Sequence, residues 1–425
     1  MRILVLGASG FIGAYVAACL RVRGHEVLPC GRNTTALRLR FPGSHVVRAD
    51  LARDKASDWQ GRLGKVDAVV NVVGALEGKL EVLQGSGPAA LFDACAEAGI
   101  PCVVQVSALG AADGTTRFLA TKRVADEHLL RLRREGGRRG WTVLRPSLVI
   151  GRGGYSTGLF CALAVLPRPA GLGRGDWQVQ PVHVADLARA VADIVEAGEA
   201  PPLLDLVGPE AMGTDRLTAI LRGWLGLPER RPVSIPEGLL RASARIGRLV
   251  PGSPVAPETL DMLARGNTAD PAPIRAALGW SPRPLAEALA AEPSVAADRT
   301  HARMAAIRPV LRLLLASIWI GTAYVSAFVT PRAVSDALTA GLGLHGLASS
   351  MALWGGVALD LAVGVAVLAL PRQTALVCIV QLAVTLLLTV LATAAFPGAW
   401  ADPFGPLLKN AAIVGAVLAL LAARE

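Results

Sequence analysis

Apolar positions follow two rhythms along this chain. Up to about residue 300, short apolar runs alternate with amphipathic stretches, whereas beyond residue 309 the apolar positions merge into long blocks. Residues 2–6 (Arg-Ile-Leu-Val-Leu) predict a short buried strand, and Phe11 to Arg23 a helix that Gly24 ends. Strand-like runs recur at 26–30, 45–48, 67–72, 102–107 and 141–145, with helical stretches between them, notably 87–98 and 117–134. Such alternation buries a parallel sheet on both faces, so the expected core, about residues 1–150, is a doubly wound α/β Rossmann domain. From 151 to 300 the chain is richer in Pro and Gly, with shorter helices at 184–197 and 214–225, which suits a smaller substrate-side lobe.

Four apolar segments follow, 310–329, 351–370, 374–396 and 407–423. Each is near the length of about 20 residues that crosses a bilayer core, and backbone in lipid must satisfy its own hydrogen bonds. The expectation is an all-α four-helix transmembrane bundle over 309–425, joined to a domain of residues 1–300 by a basic linker at 301–308.

Composition agrees with this division. Of 425 residues, 52% are hydrophobic and only 18% charged, too apolar for a purely soluble chain. The net charge of +10 divides as about +9 before Pro309 and about +1 after it. No nucleic-acid recognition motif accompanies the positive charge, so the bilayer and its anionic surface are the expected partners, and nucleic acid is not. The run Arg131, Arg133, Arg134, Arg138 and Arg139 closes a helix, where cations are favoured, and is a second candidate for headgroup contact. Arg299, Arg303, Arg308 and Arg312 precede the first apolar segment, Arg372 lies between the second and third, and Arg424 ends the fourth. The alternate loops carry only Arg332 and Lys409, so the positive-inside rule puts both termini and the first domain in the cytoplasm.

The six cysteines form no CxxC pair and sit mostly in apolar runs, as reduced thiols do, and no residue cluster has metal-ligand spacing. A signal-peptide reading of the N terminus fails because three glycines interrupt the would-be apolar core.

Those glycines carry the first chemical signal, in Gly7-Ala8-Ser9-Gly10-Phe11-Ile12-Gly13. Between a strand and a helix, Gly7 permits the tight turn, Gly10 lets backbone approach a pyrophosphate, and Gly13 lets helix pack close to strand, with the helix N terminus facing the phosphates. After the second strand, where a carboxylate would hold the ribose of NAD, the chain reads Pro29-Cys30-Gly31-Arg32-Asn33. Arg32 suits the extra phosphate of NADP, so NADP(H) is favoured and NAD(H) is the alternative.

Further motifs fall in order: Ala49-Asp50-Leu51, Asn71-Val72-Val73-Gly74, Val106-Ser107-Ala108-Leu109-Gly110, Leu144-Arg145-Pro146-Ser147 and Pro181-Val182-His183-Val184-Ala185-Asp186. With the glycine turn they resemble the atypical extended short-chain dehydrogenases/reductases, in particular the branch that contains the NADPH-binding accessory subunit of respiratory complex I. The resemblance implies that Asp50 and Leu51 lie near adenine, Val73 and Gly74 line the cofactor, and Pro146 borders the nicotinamide. In that family a Tyr-x-x-x-Lys pair supplies the acid/base and holds the ribose. Here the pair reads Phe118-Leu119-Ala120-Thr121-Lys122, so the principal acid is missing while Lys122 can still bind ribose. Ser107 lies where the family's active-site serine region begins, and Tyr155, in a glycine-rich loop, is the best substitute acid; Lys122, Ser107 and Tyr155 are the candidate catalytic residues. His183 is expected to start a helix among neighbouring polar groups.

The apolar block resembles the DoxX-like membrane proteins, through Gly356-Val357-Ala358-Leu359-Asp360-Leu361 and Trp400-Ala401-Asp402-Pro403-Phe404-Gly405-Pro406-Leu407-Leu408-Lys409-Asn410. Asp360 falls mid-helix, where an ionised carboxylate needs a partner, and Lys409 is the nearest cation to an apolar interior.

Three functions remain open on these grounds. One is a membrane-anchored NAD(P)H oxidoreductase for a lipophilic or quinone-like substrate, which takes protons from water and tolerates the loss of the tyrosine. Another is a non-catalytic NADPH-binding structural, assembly or sensor protein of a membrane complex or oligomer. The third is a sugar-nucleotide epimerase/dehydratase, which Phe118 disfavours. Arg32→Glu should weaken NADPH binding and leave NADH binding unchanged; equal loss of both, by titration of each cofactor, would remove the role given to Arg32.

Overall fold

The computed structural model describes all residues except 77, 248–256, 404 and 424–425, so Arg424 and Phe404 lie outside the described residues. The chain forms two compact units, one of Met1–Leu240 with Glu258–Val295, the other containing Ala296 onward.

The first unit alternates as expected. It begins β1 (Arg2–Leu6), α1 (Phe11–Val22), β2 (Glu26–Gly31), α2 (Thr34–Arg40), β3 (Val47–Arg48), α3 (Ala56–Trp59) and β4 (Ala68–Asn71). A π-helical turn, Glu81–Ser86, runs into α4 (Gly87–Glu97), followed by β5 (Cys102–Val106), α5 (Arg117–Gly136) and β6 (Gly140–Pro146). Then come β7 (Val149–Ile150), α6 (Tyr155–Ala164), β8 (Ala170–Leu172), β9 (Gln178–Val179), β10 (Val182–His183), α7 (Val184–Ala197) and β11 (Leu203–Leu206). Seven strands make one sheet in the order β11-β6-β5-β4-β1-β2-β3, with every pairing parallel. The periodicity did not mark β11, whose four residues close the sheet beyond β6.

Alternation along β1 decides the two cores. Ile3 and Val5 pack on one face with Val16 and Leu20 of α1 and Leu187 and Val191 of α7. Leu4 and Leu6 pack on the other with Trp59, Phe92, Leu129 and Trp141. The winding reverses between β1 and β4, and the crevice beyond their carboxyl ends is where an open α/β sheet takes its ligand.

In the second unit one helix runs from Ala296 to Tyr324 and continues as a π-helical turn over Val325–Val329. Residues 301–308 are therefore helical rather than a linker: Ala, Arg and Met are good helix formers, and Pro309 sits within the helix without ending it. A short helix, Arg332–Ala340, precedes two long ones, Leu347–Ala369 and Thr374–Ala395. Among the described residues, three helices are long and apolar enough to cross a membrane. The fourth apolar segment departs from expectation, because its helix covers only the 14 residues Lys409–Ala422, about 21 Å at the α-helical rise and short of a bilayer core. Gly405, at φ +55°, and Pro406 hold the chain in turns, and the helix starts only at Lys409.

Trp141 is fully buried, and its indole N–H donates to the Ile100 carbonyl at 2.9 Å. Trp141→Ala should destabilise the Rossmann unit by about 3–5 kcal/mol, read from its denaturant-induced loss of near-UV circular dichroism.

Candidate functional site

The glycine turn is built by close approach. Gly7 has φ +78°, a conformation that favours glycine, and a Cβ on Gly13 would lie 2.2 Å from the Gly7 carbonyl oxygen. Gly10 and Ser9 are exposed beside the switch point, and the Gly10 N–H donates to the Gly7 carbonyl at 2.9 Å. No side chain caps the N terminus of α1, and its first turn holds no acidic residue, so the helix offers its amides and positive dipole end to an anion. Phe11 and Ile12 are half-buried, and Phe11 carries the Gly151–Gly154 loop, where a Cβ on Gly154 would come within 2.8 Å of its ring. These residues fit a dinucleotide.

At the far side of the cleft, Arg32, Asn33, Thr34, Thr35 and Arg48 line an open depression of about 520 Å³. It lies where β2 and β3 end and α2 begins, with the Asn33 side chain accepting from the Ala36 N–H as the helix cap. Arg48 is a member the motif reading missed; its place at the end of a two-residue strand beside β2 needs the sheet register to appear. Nearby, Arg40 donates to the Ser9 carbonyl at 2.8 Å. Asp50 is engaged locally, its carboxylate accepting from the Ala52 N–H at 3.1 Å, while Leu51 is buried and its carbonyl lies against Gly87.

Lys122 is buried, its Nζ donating to the Val73 carbonyl at 2.8 Å and the Val106 carbonyl at 3.1 Å, at the ends of β4 and β5. Gly74 is exposed, and a Cβ there would sit 3.7 Å from Nζ and 4.0 Å from Oε1 of Gln84. Gln84 comes from the π-helical turn, is fully buried, and leaves Oε1 without a partner. This orphaned acceptor beside an ammonium with a third proton to donate fits a cofactor hydroxyl.

Ser107 is turned to a different task. Its Oγ donates to Oδ2 of Asp126 at 2.8 Å, and the Arg145 guanidinium bonds the same oxygen at 3.0 Å. Burial pushes the Asp126 carboxyl up, against the pull of Ser107, Arg145 and Lys122. Asp126 lies four residues beyond Lys122 on α5, a spacing that puts both on one face and was the available signal for it. Phe118 is half-buried at the head of the same helix. Pro146 ends β6 and accepts from the Leu109 N–H at 2.9 Å. Tyr155 is 44% exposed at the first position of α6. His183 caps α7 itself: Nδ1 accepts from the Ala185 N–H at 3.3 Å, and burial lowers its pKa.

Two surface expectations change. Arg133 bonds the carbonyls of Arg139, Trp141 and Ala200, and Arg138 stacks on Trp141, so these members of the basic run are structural. In the second unit Asp360 is buried while Lys409 is exposed, and among the described residues no ion pair joins them. Among the described residues no disulfide joins the cysteines, and burial pushes the Cys30 and Cys102 thiols up to about 12.

Residues 3–204 match the NAD dependent epimerase/dehydratase family, and residues 316–418 match the DoxX-like family. The chain joins an epimerase-family Rossmann domain to a DoxX-like domain. Its first part is 27% identical over 288 residues to an epimerase family protein of Bos taurus, covering 60% of this chain and 92% of that one. A dTDP-4-dehydro-6-deoxy-D-allose reductase of a Streptomyces species is 29% identical over 289 residues, with 57% and 88% covered. The fold is shared with a UDP-glucose 4-epimerase from Thermotoga maritima, at 18% identity and TM-score 0.53, covering 68% of this chain and 96% of that one. It is shared also with DesIV, a dTDP-glucose 4,6-dehydratase from Streptomyces venezuelae with NAD bound, at 19% identity and TM-score 0.53, with the same coverage.

Burial lowers the Lys122 pKa from 10.5 to about 8, against the opposing pull of Asp126. The unfolded chain therefore binds more protons than the folded one between these values, and stability should rise with pH across that window. Lys122→Met should abolish that rise, measured as the difference in unfolding free energy between the two proteins from pH 8 to 10.5.

Proposed function

We propose that this protein is an NADP(H)-binding oxidoreductase of the short-chain dehydrogenase/reductase type, embedded in a membrane and acting on a lipid-soluble, quinone-like acceptor. The observation that carries this reading is the glycine turn at the uncapped N terminus of α1, combined with Phe118 in place of the usual acid. A bound nicotinamide supplies hydride. The protein's part is to hold and orient it: the α1 amides face the pyrophosphate, Lys122 holds a ribose hydroxyl, and Gly74 leaves that hydroxyl room. Phe118 donates no proton, so the acceptor must take its protons from elsewhere. A quinone does so, receiving hydride and one proton from water to become the quinol.

The preference for NADPH is supported by Arg32 and Arg48 on one depression together with the hydroxyls of Thr34 and Thr35. Two guanidinium groups suit a phosphate dianion and give a plain ribose little in exchange. The arginines flanking the first apolar helix support a cytoplasmic Rossmann domain, where NADPH is available.

Cofactor binding without turnover, in a structural or sensing role, is the second reading. It is favoured by the engagement of Ser107 with Asp126 and of Lys122 with two carbonyls, which ties both side chains to the protein rather than to a reacting group. The Streptomyces relatives act on a dTDP-sugar by name, and a sugar-nucleotide substrate is the third reading, against which Phe118 weighs. Full-length protein in phospholipid nanodiscs should oxidise NADPH with short-chain quinones, followed by nicotinamide absorbance, and leave dTDP-sugars unchanged. Tight NADPH binding with no oxidation by quinones or lipophilic ketones would overturn the reaction and favour the binding role.

A further inference from the structure

The segment Glu229–Arg245 carries a surface that the cofactor cleft does not use. Four arginines, Arg230, Arg231, Arg241 and Arg245, stand in it against two glutamates, Glu229 and Glu237, and all six are exposed. Its strand, Val233–Ile235, pairs in parallel with β8, and the Val233 N–H donates to the Pro169 carbonyl at 2.7 Å. That pairing brings in a fifth exposed arginine, Arg168, which leads into β8 as Arg231 leads into the neighbouring strand. The strand has no second neighbour among the described residues, and Val233 is 49% exposed.

Pro236 turns this strand into the helix Glu237–Gly247, its carbonyl accepting from the Leu239 and Leu240 N–H groups at 2.9 and 3.1 Å. Leu240 and Ala244, four residues apart, are buried and set the inward face of the helix. Leu239, 62% exposed, stands out on one flank, while Arg241 and Arg245, also four apart, stand together on the other. The residues of this helix from Arg241 onward belong to the helical unit and not to the Rossmann unit.

Charge and apolar exposure together select a partner. Guanidinium groups match phosphate and carboxylate, and two large aliphatic side chains held out among them are stabilised by leaving water for a hydrocarbon boundary. Nucleic acid fits less well, because the segment holds no aromatic residue on which a base could stack. A cationic helix with an apolar tip is the form that lies in the interface of a bilayer. We propose that Glu229–Arg245, with Arg168, docks on anionic phospholipid headgroups, with Val233 and Leu239 reaching the acyl boundary. The proposal rests on the helical unit lying in a membrane and is independent of cofactor turnover in the Rossmann domain.

The test places full-length protein in nanodiscs of equal parts phosphatidylserine and phosphatidylcholine, with a diazirine at the start of the acyl chain of one lipid or the other, and maps cross-linked peptides by mass spectrometry. Peptides that cover Val233 and Leu239 should be labelled about tenfold more by phosphatidylserine than by phosphatidylcholine, since each arginine at an anionic surface adds several-fold. High salt should bring the two lipids toward parity, because exposed charges are screened. Arg230→Gln with Arg231→Gln, and Arg241→Gln with Arg245→Gln, should each lower the preference about threefold. Leu239→Ser should lower labelling by both lipids about threefold and keep their ratio, through the apolar area it removes. NADPH affinity should be unchanged in every variant, which shows the fold intact. Equal labelling by the two lipids in the wild-type protein, or labelling of the helices between Ala296 and Ala395 with none at Glu229–Arg245, would overturn this proposal and leave the membrane placement standing. Failure of the chain to enter nanodiscs would overturn both.

Discussion

The cofactor cleft depends on how closely α1 approaches the end of β1. At Gly13 the helix lies against the Gly7 carbonyl with no space for even one methyl group. That contact brings the uncapped N terminus of α1 to the point where the sheet reverses its winding, between β1 and β4. The same approach seats Phe11 under the Gly151–Gly154 loop, so the helix N terminus and that loop share one support. A larger residue at position 13 would move the helix, and the dipole, the loop and the depression at Arg32 would lose their common register.

Behind the cleft, buried charge decides what chemistry is left. Asp126 accepts from both Ser107 and Arg145, which ties α5 to the ends of β5 and β6. Lys122 is held from the same helix by carbonyls of β4 and β5. The arrangement is suited to holding a hydroxyl, beside Lys122 and the orphaned Gln84 Oε1, while Ser107 is committed to Asp126. Desolvation acts in the same direction on both, disfavouring the charged form of the lysine and of the carboxylate.

The helical unit solves a different problem with the same means. Arg312 read from sequence as one more cation at a membrane edge, yet it is buried and bonds the carbonyls of Val367 and Pro371 and the Thr374 hydroxyl. It thereby satisfies the carboxyl end of the Leu347–Ala369 helix, where backbone acceptors would otherwise face an apolar interior. Asn410 reaches Thr389 at 2.7 Å and Trp400 reaches Thr393 at 3.0 Å, tying the short last helix and the turn before it to the Thr374–Ala395 helix. Against this background, Asp360 and the Nε2 group of Gln381 stand out, since among the described residues neither has a hydrogen-bond partner.

Local pattern was enough for the elements that repeat a short rule. Apolar strands, amphipathic helices, the glycine turn and three long apolar helices all declare themselves within a window of a few residues, because each follows from backbone geometry and side-chain period. The absence of the tyrosine at Phe118 was equally legible, since one residue type decides it. What the window could not contain was any feature made by residues far apart: Arg48 beside Arg32, Asp126 under Ser107 and Arg145, Gln84 next to Lys122, and Trp319 on Gln381. The fourth apolar segment shows the same limit from the other side, as its composition promised a span while the turns around Gly405 left a helix of 14 residues. Sequence determined which residues prefer to be buried and in what local shape; only tertiary packing decided which polar groups meet once buried, because that depends on register between strands and helices that the chain brings together from a distance.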